Sequence, residues 1–376
     1  MVLQNIRVSN GAQHANAENA PPQANSSSSR PKKGLISRVY QDAATRRRTR
    51  GMGSTTRTPK YRADQAKRRA DSQPRASSVK FNVSPGITVS AIDEASVASS
   101  STQLPKSIPI SFPKELNRPM WKDIDRDVLY SIEPELTGME MPFILDSVAG
   151  ISDELYKALH TIQVQPARDV LPRTLAVRTT DAHGPLPTHM LAVFGRGTPP
   201  PLPDGSARAR KIALYPVHSL VLMANCANLT APPDTLSPPS PPAPGVKEAD
   251  LTLPIWPVCL PSPMVYPQLA SYLYHKNRDQ LLKNFLPAPA PANLMRDPAV
   301  GRMYAVQLAT TYTVQALIRN IITLHGLYQN SCALGIYDDV LWDTMDVMWR
   351  VLLTALAIAT GDPGQMLTMR PSTQAS

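Results

Sequence analysis

Cysteine is scarce: the 376 residues contain three, Cys226, Cys259 and Cys332. The number is odd and no two stand at metal-ligand spacing. Each has apolar neighbours in sequence, which argues against a disulfide framework and fits reduced core thiols of an intracellular protein. An apolar N-terminal segment is also missing: "MVLQNIRVSN" has no hydrophobic core, so no secretory leader is expected. The most apolar run, "VMWRVLLTALAIAT" (347–360), is interrupted by Arg350 and follows Asp343 and Asp346. A membrane span needs about 20 apolar residues, so none is expected. A G-x-S-x-G elbow, a phosphate-binding loop, a dinucleotide fingerprint and H-E-x-x-H are all absent. Tryptophan is missing from the first 120 residues, and residues 106–376 carry almost no net charge.

What is present is distributed unevenly. Residues 1–105 hold 17 Lys and Arg against 6 Asp and Glu, so the whole basic excess lies there. The overall pI near 9.6 therefore describes the first third of the chain and implies no basic groove on a folded body. This segment has "SSSS" (26–29), "ASVASSST" (95–102) and no sustained apolar period. It buries too little to offset roughly 1–2 kcal/mol of backbone entropy per residue, and residues 1–110 read as a disordered basic tail. Proline, at 39 residues, is about twice the usual ~5%. Two runs, 198–205 and 230–247, read as exposed proline-rich insertions, because proline continues neither a helix nor a sheet interior. "PPPLP" also has the form of a polyproline II ligand, though a stiff loop is the reading that base rates favour.

The remaining chain reads as α+β. "SDELYKALHTI" has Ser152 as an N-cap and Leu155, Leu159 and Ile162 on one face. "RTLAVRT" (173–179) and "HMLAVFGR" (189–196), joined by "DAHGPLP", read as a hairpin. Ile212, Leu214 and Pro216 alternate as a strand, and residues 218–229 follow as a helix. "LTLPIWPVCLPSP" (251–263) reads as an edge strand because of its prolines. A helix over 263–277 buries Val265, Leu269, Tyr272 and Leu273, and "RDQLLKNFLP" adds a short helical turn. Two long helices close the chain, over about 298–328 and 337–359. Asp338 and Asp339 stand at the positive end of the last one's dipole, and beyond Val347 it is apolar nearly all round.

Candidate chemistry is sparse. His183 and His189 flank two prolines without Cys or carboxylate at ligand spacing, so a turn and a strand-end histidine are expected there. His218 precedes an apolar helix, as a packed or capping histidine would. Asp339, Asp343 and Asp346 share a helix face and read as a solvated acidic stripe. No catalytic residue, metal or cofactor is expected, although a hydrolase with a pocket near His189 or His218 is an alternative. The notable cluster is "RPKKGLISRVYQDAATRRRTR" (30–50). Lys32 and Lys33 are separated by twelve residues from Arg46, Arg47, Arg48 and Arg50, the layout of a bipartite import signal. A further group follows at Lys60, Arg62, Lys67, Arg68 and Arg69. A nucleic-acid arm uses the same charges by counterion release, but only Tyr40 and Tyr61 are interleaved for stacking. A tail serving solubility alone is the third reading.

The order "LYPVHSLVLMANCANL", insertion, "LPIWPVCLPSPMVYPQLASYLYH" resembles the middle of a BTB/POZ domain, with His218 and Leu222 in the first element and Leu273 and Tyr274 in the second. The long proline insertion and the length of 298–359 depart from that pattern. Over about 120–360 the chain is similar to a narrower group, the clampless-type proteins of mushroom-forming and related fungi. The resemblance runs through "LYSIEPELTGMEMPFILDSVAGISDELYKALH" and the stretch just quoted to "YDDVLWDTMDVMWRVLLTAL". It implies a POZ-like α+β domain over 119–290 and a helical part over 298–360. It further implies a regulator of sexual development, acting with the mating-type pathway in clamp-cell formation; the import signal and the missing catalytic motifs add the expectation that it is nuclear and non-enzymatic. The expected partners are regulatory or transcription factors, an import receptor and a second copy of the chain, with weak nucleic-acid binding by the tail and no membrane. The POZ likeness implies one alternative, a substrate adaptor of a cullin ubiquitin ligase.

Overall fold

The computed structural model describes residues 3–6, 78–83, 108–164, 171–197, 210–233 and 248–367. In chain order they form strands β1 (Leu3–Ile6), β2 (Ser78–Val83) and β3 (Ile108–Pro113), then helices α1 (Arg126–Ile132) and α2 (Met141–Leu159). Strands β4 (Ile162–Val164), β5 (Thr174–Thr179), β6 (His189–Gly195) and β7 (Arg210–Val217) lead to helix α3 (Ser219–Asn225) and strand β8 (Ala249–Leu260). Helices α4 (Tyr266–His275), α5 (Arg278–Phe285), α6 (Pro298–Thr311), α7 (Val314–Leu334), α8 (Asp339–Ala359) and α9 (Gly364–Leu367) complete the chain. This is the α+β class expected. There are two compact units. One comprises Met1–Thr55, Lys122–Lys276 and Ala333–Ile336; the other comprises Thr56–Trp121, Asn277–Cys332 and Tyr337–Ser376.

The first unit is a six-stranded sheet in the order β1-β7-β6-β8-β5-β4, with helices α1 to α4. All neighbours are antiparallel except β6 and β8. One sheet face buries Leu175, Val177, Met190, Ala192, Ile212, Leu251, Leu253 and Ile255. β5 and β6 are therefore not the hairpin their sequences suggest. β8 lies between them, pairing with β5 through Ala249–Pro254 and with β6 through Ile255–Leu260. Nor is β8 an edge strand. Each half of it has one ladder neighbour, so half of its N–H groups face away from a ladder, where Pro254 and Pro257 cost no bond. Ser152 does not cap a helix. It lies inside α2, its hydroxyl donating to the Val148 carbonyl at 2.7 Å. The helix begins earlier, at Met141 with Pro142 in its first turn, because Ile144, Val148, Ile151 and Leu155 continue the buried face. The helix expected over 218–229 stops at Asn225, and Asn228 and Ala227 instead donate to the carbonyls of Leu334 and Gly335.

In the second unit, β2 and β3 form an antiparallel pair, and α8 packs against α5, α6 and α9. β2 lies within 1–110, the segment read as a disordered tail, and so does β1 of the first unit. The reason is local: "SVKFNV" alternates, and Val79, Phe81 and Val83 are all buried. The helix expected over 298–328 is two. Tyr312 turns extended and its hydroxyl donates to the Pro287 carbonyl at 2.7 Å. Thr313 then starts α7, its Oγ1 accepting the Ala316 N–H at 3.3 Å. α8 is as expected: Asp338 caps it, accepting the N–H groups of Val340 and Leu341. Leu341, Met345, Met348 and Leu352 are fully buried, as is most of its last three turns. The thiols differ from expectation, for Cys226 is buried and Cys332 half-buried but Cys259 is exposed on the outer side of β8. Among the described residues no helix is long and apolar enough to cross a membrane.

Candidate functional site

The two histidines weighed for chemistry have both ring nitrogens engaged. His218 precedes α3, and its backbone N–H donates to the Tyr274 hydroxyl at 3.0 Å. That hydroxyl lies 3.2 Å from His218 Nδ1, and Nε2 lies 3.2 Å from the Pro185 carbonyl. One proton arrangement satisfies all three contacts: the hydroxyl donates to Nδ1, and Nε2 carries the proton and donates to Pro185. The ring is then neutral, as burial also demands, pushing its pKa down to about 4 against the smaller pull of the Pro185 carbonyl. Tyr274 and His218 are the two ends of the POZ-like sequence pattern, and the fold brings them together. His189 Nε2 sits 2.9 Å from the Pro233 carbonyl and Nδ1 2.9 Å from Thr188 Oγ1. The same Thr188 oxygen accepts the Ser219 N–H at 2.8 Å. Burial lowers the His189 pKa too. Together they tie residues 185–189, the first turn of α3 and Pro233 into one polar knot. His183 is in a turn, its N–H donating to Asp181 Oδ1.

The acidic stripe of the second unit is not merely solvated. Arg118 Nη1 is 3.1 Å from Asp339, and Nη2 is 2.6 Å from Asp343 and 3.6 Å from Asp346. Spacings of four and three residues put these carboxylates on one helix face, where a single guanidinium spans them. Burial raises the Asp346 pKa to about 6, opposed by Arg118 and Arg350 and reinforced by Asp343. Arg118 belongs to a strap, residues 113–121, laid along α7 and α8. Trp349 Nε1 donates to the Pro113 carbonyl at 3.0 Å, the Tyr328 hydroxyl to Asn117 at 3.1 Å and the Tyr337 hydroxyl to Met120 at 2.5 Å. Behind the strap, aromatic rings run from Phe81 through Phe112, Trp349, His325 and Tyr328 to Trp342. At its end Met120 is 86% and Trp121 45% exposed, the latter 4.8 Å from the Tyr337 ring, with Val340 also exposed. Apolar side chains beside carboxylates suit recognition of another protein.

Arg118 was not legible as a site residue. The three acids in register read as a solvated stripe, and the cation that spans them stands 221 residues away from Asp339. The import candidates Lys32, Lys33, Arg46, Arg47, Arg48 and Arg50 lie outside the described residues, as do most of both proline-rich insertions. Among the described residues no group of three or more His, Cys, Asp or Glu is placed to hold a metal ion.

The family model described as Clampless protein 1 N-terminal domain matches residues 119–261, and that described as Clampless protein 1 C-terminal domain matches residues 279–376. Neither a curated protein nor a solved structure matches the chain. Two domains of one family, matched in order over more than half of the sequence, place the chain in the clampless family.

Proposed function

We propose that the chain is a non-enzymatic nuclear regulator of fungal sexual development, needed for clamp-cell formation and acting through protein partners in the mating-type pathway. The observation that carries the reading is the pair of clampless domain matches over 119–261 and 279–376. The engaged nitrogens of His189 and His218 agree with a packing role, and the Met120–Trp121 patch beside Asp339 and Asp343 supplies a surface for a partner. A POZ-like core over 119–290 belongs to the same proposal, supported by the strand–His218–helix order and the contact of His218 with Tyr274.

The test is genetic, in a clamp-forming fungus. Deleting the gene removes clamp cells, and the full chain restores them, as do His189→Gln and His218→Gln variants that stay folded. Loss of function in a stable, soluble variant of either histidine would favour the hydrolase reading instead. Affinity purification of the full chain from mating cells recovers regulatory proteins. Stoichiometric recovery of a cullin assigns the chain to ligase adaptors.

A further inference from the structure

The outer edge of the first unit's sheet is covered by the chain's own N-terminal strand. β1 has four residues and pairs antiparallel with β7, Leu3 opposite Ala213 and Ile6 opposite Arg210. β7 is twice as long, so Leu214 to Val217 have no strand on that side among the described residues. Leu214 and Tyr215 are partly exposed. Pro216, which has no N–H, sets the limit of any longer ladder. β1 is also remote in sequence: the next described element of the same unit, α1, begins at Arg126. An element tethered through more than about a hundred residues is held at a low effective concentration, since closure entropy grows with the intervening length. Four residues of pairing are a small gain to set against it.

We propose that the outer edge of β7 is a strand-acceptor site for an extended, proline-free segment of a partner protein, and that residues 3–6 are its resident competitor. Main-chain hydrogen bonds provide such docking with affinity whatever the side chains, as in other cases of strand addition. A partner strand longer than β1 reaches the N–H and C=O of Leu214, which face outward and lie beyond the reach of β1, before Pro216 ends the ladder; those of Tyr215 face β6. An uncovered edge of this length invites indiscriminate pairing, and a short self-strand keeps it closed until a better one arrives. The inference rests on the reading of the chain as a partner-binding regulator, but its test needs no partner and no fungus.

The probe is a synthetic peptide of residues 1–8, MVLQNIRV, carrying a fluorophore. A chain lacking residues 1–8 binds it with a measurable Kd, and the full chain binds at least about tenfold more weakly, because β1 occupies the site in cis. Binding slows exchange of the Ile212 amide, which faces the outer edge, more than those of Lys211 and Ala213, which face β6. The peptide with Gln4→Pro and Asn5→Pro, unable to form the ladder, does not bind. A full-length chain carrying the same two substitutions gives a second acceptor, so the test survives if the truncated chain folds poorly. Absence of peptide binding to both acceptors overturns the proposal, as does equal binding by the unaltered full chain. A full chain that dimerises only when residues 1–8 are present assigns the edge to a second copy and overturns the partner reading.

Discussion

Between pH 7 and pH 4 an unfolded chain protonates its histidines, whereas the folded first unit keeps His218 neutral down to about pH 4. A depressed histidine pKa means that the unfolded state binds more protons in this window, so stability falls as the pH drops through it. Against an ordinary value of ~6.5 the loss approaches about 3 kcal/mol by pH 4. His218→Gln keeps a donor for the Pro185 carbonyl but disturbs the Tyr274 hydroxyl. We predict a cost of about 1–2 kcal/mol at pH 7 and a flatter pH dependence below 6.5, read by urea titration of Trp256 fluorescence. An unchanged slope would clear His218 of the acid response. Asp346 works in the opposite sense. Its raised pKa means that its contribution is full below the usual carboxyl range and is lost as pH rises through about 6. Asp346→Asn removes the ionised form while Arg118 keeps Asp339 and Asp343. With 35% of the side chain exposed, screening holds the gain to at most about 1 kcal/mol at pH 7–8. A melting midpoint lower by several degrees would show that the charge at Asp346 is needed. Gly335 is constrained by its backbone: φ is +67°, and a Cβ would come within 2.8 Å of the Asn228 side chain. No such demand could be read before the fold was known.

Element by element, legibility followed how much of a decision was local. α8 was readable because its cap, its dipole acids and its apolar face all lie within Asp338–Ala359. α4 was readable from its apolar face alone, with Leu269, Tyr272 and Leu273 buried and neither a side-chain cap nor an acid in its first turn. The break between α6 and α7 was readable only through Thr313, a weak capping signal inside an apolar pattern. β8 could not be placed, because whether proline is tolerated depends on which strand lies on which side. β2 was lost to averaging: six alternating residues vanish in the composition of a hundred polar ones. The consequence is energetic. Phe81 is 1% exposed and its ring stands 6.3 Å from Phe112, which meets Trp349 edge-on. We predict that Phe81→Ala destabilises the second unit by about 3–5 kcal/mol, as truncation of a buried aromatic does. Denaturation followed by Trp342 and Trp349 emission checks it. A change below about 1 kcal/mol would return residues 78–83 to the tail. With Val79, Phe81 and Val83 buried, residues 78–83 belong to the packing of the second unit and not to a tail without contacts.

At the scale of the whole molecule, the basic excess and the acidic clasp lie at different places in the sequence. The net charge of residues 1–105 is strongly positive, while that of residues 106–376 is near zero and includes no comparable basic cluster. If import is the work of Lys32, Lys33, Arg46, Arg47 and Arg48, replacing all five with Ala moves a fluorescent fusion of the full chain out of the nucleus. At 41.0 kDa plus the fluorescent protein, passive entry is slow, so the loss is visible by microscopy. Lys60, Arg62, Lys67, Arg68 and Arg69 supply a second cluster, and their replacement completes the exclusion if the first leaves a residue of nuclear signal. Grafting a foreign import signal onto the variant then separates address from action. Restored clamp cells mean that the tail carries only an address. Nuclear protein without clamp cells means that the same cations act after entry. In that case binding of the full chain to DNA weakens steeply with salt, by roughly 0.9 decade per phosphate contact per decade of salt, and the variant loses both the binding and the slope. A fusion that stays nuclear with both clusters removed places the import signal elsewhere in the chain or in a partner that carries it.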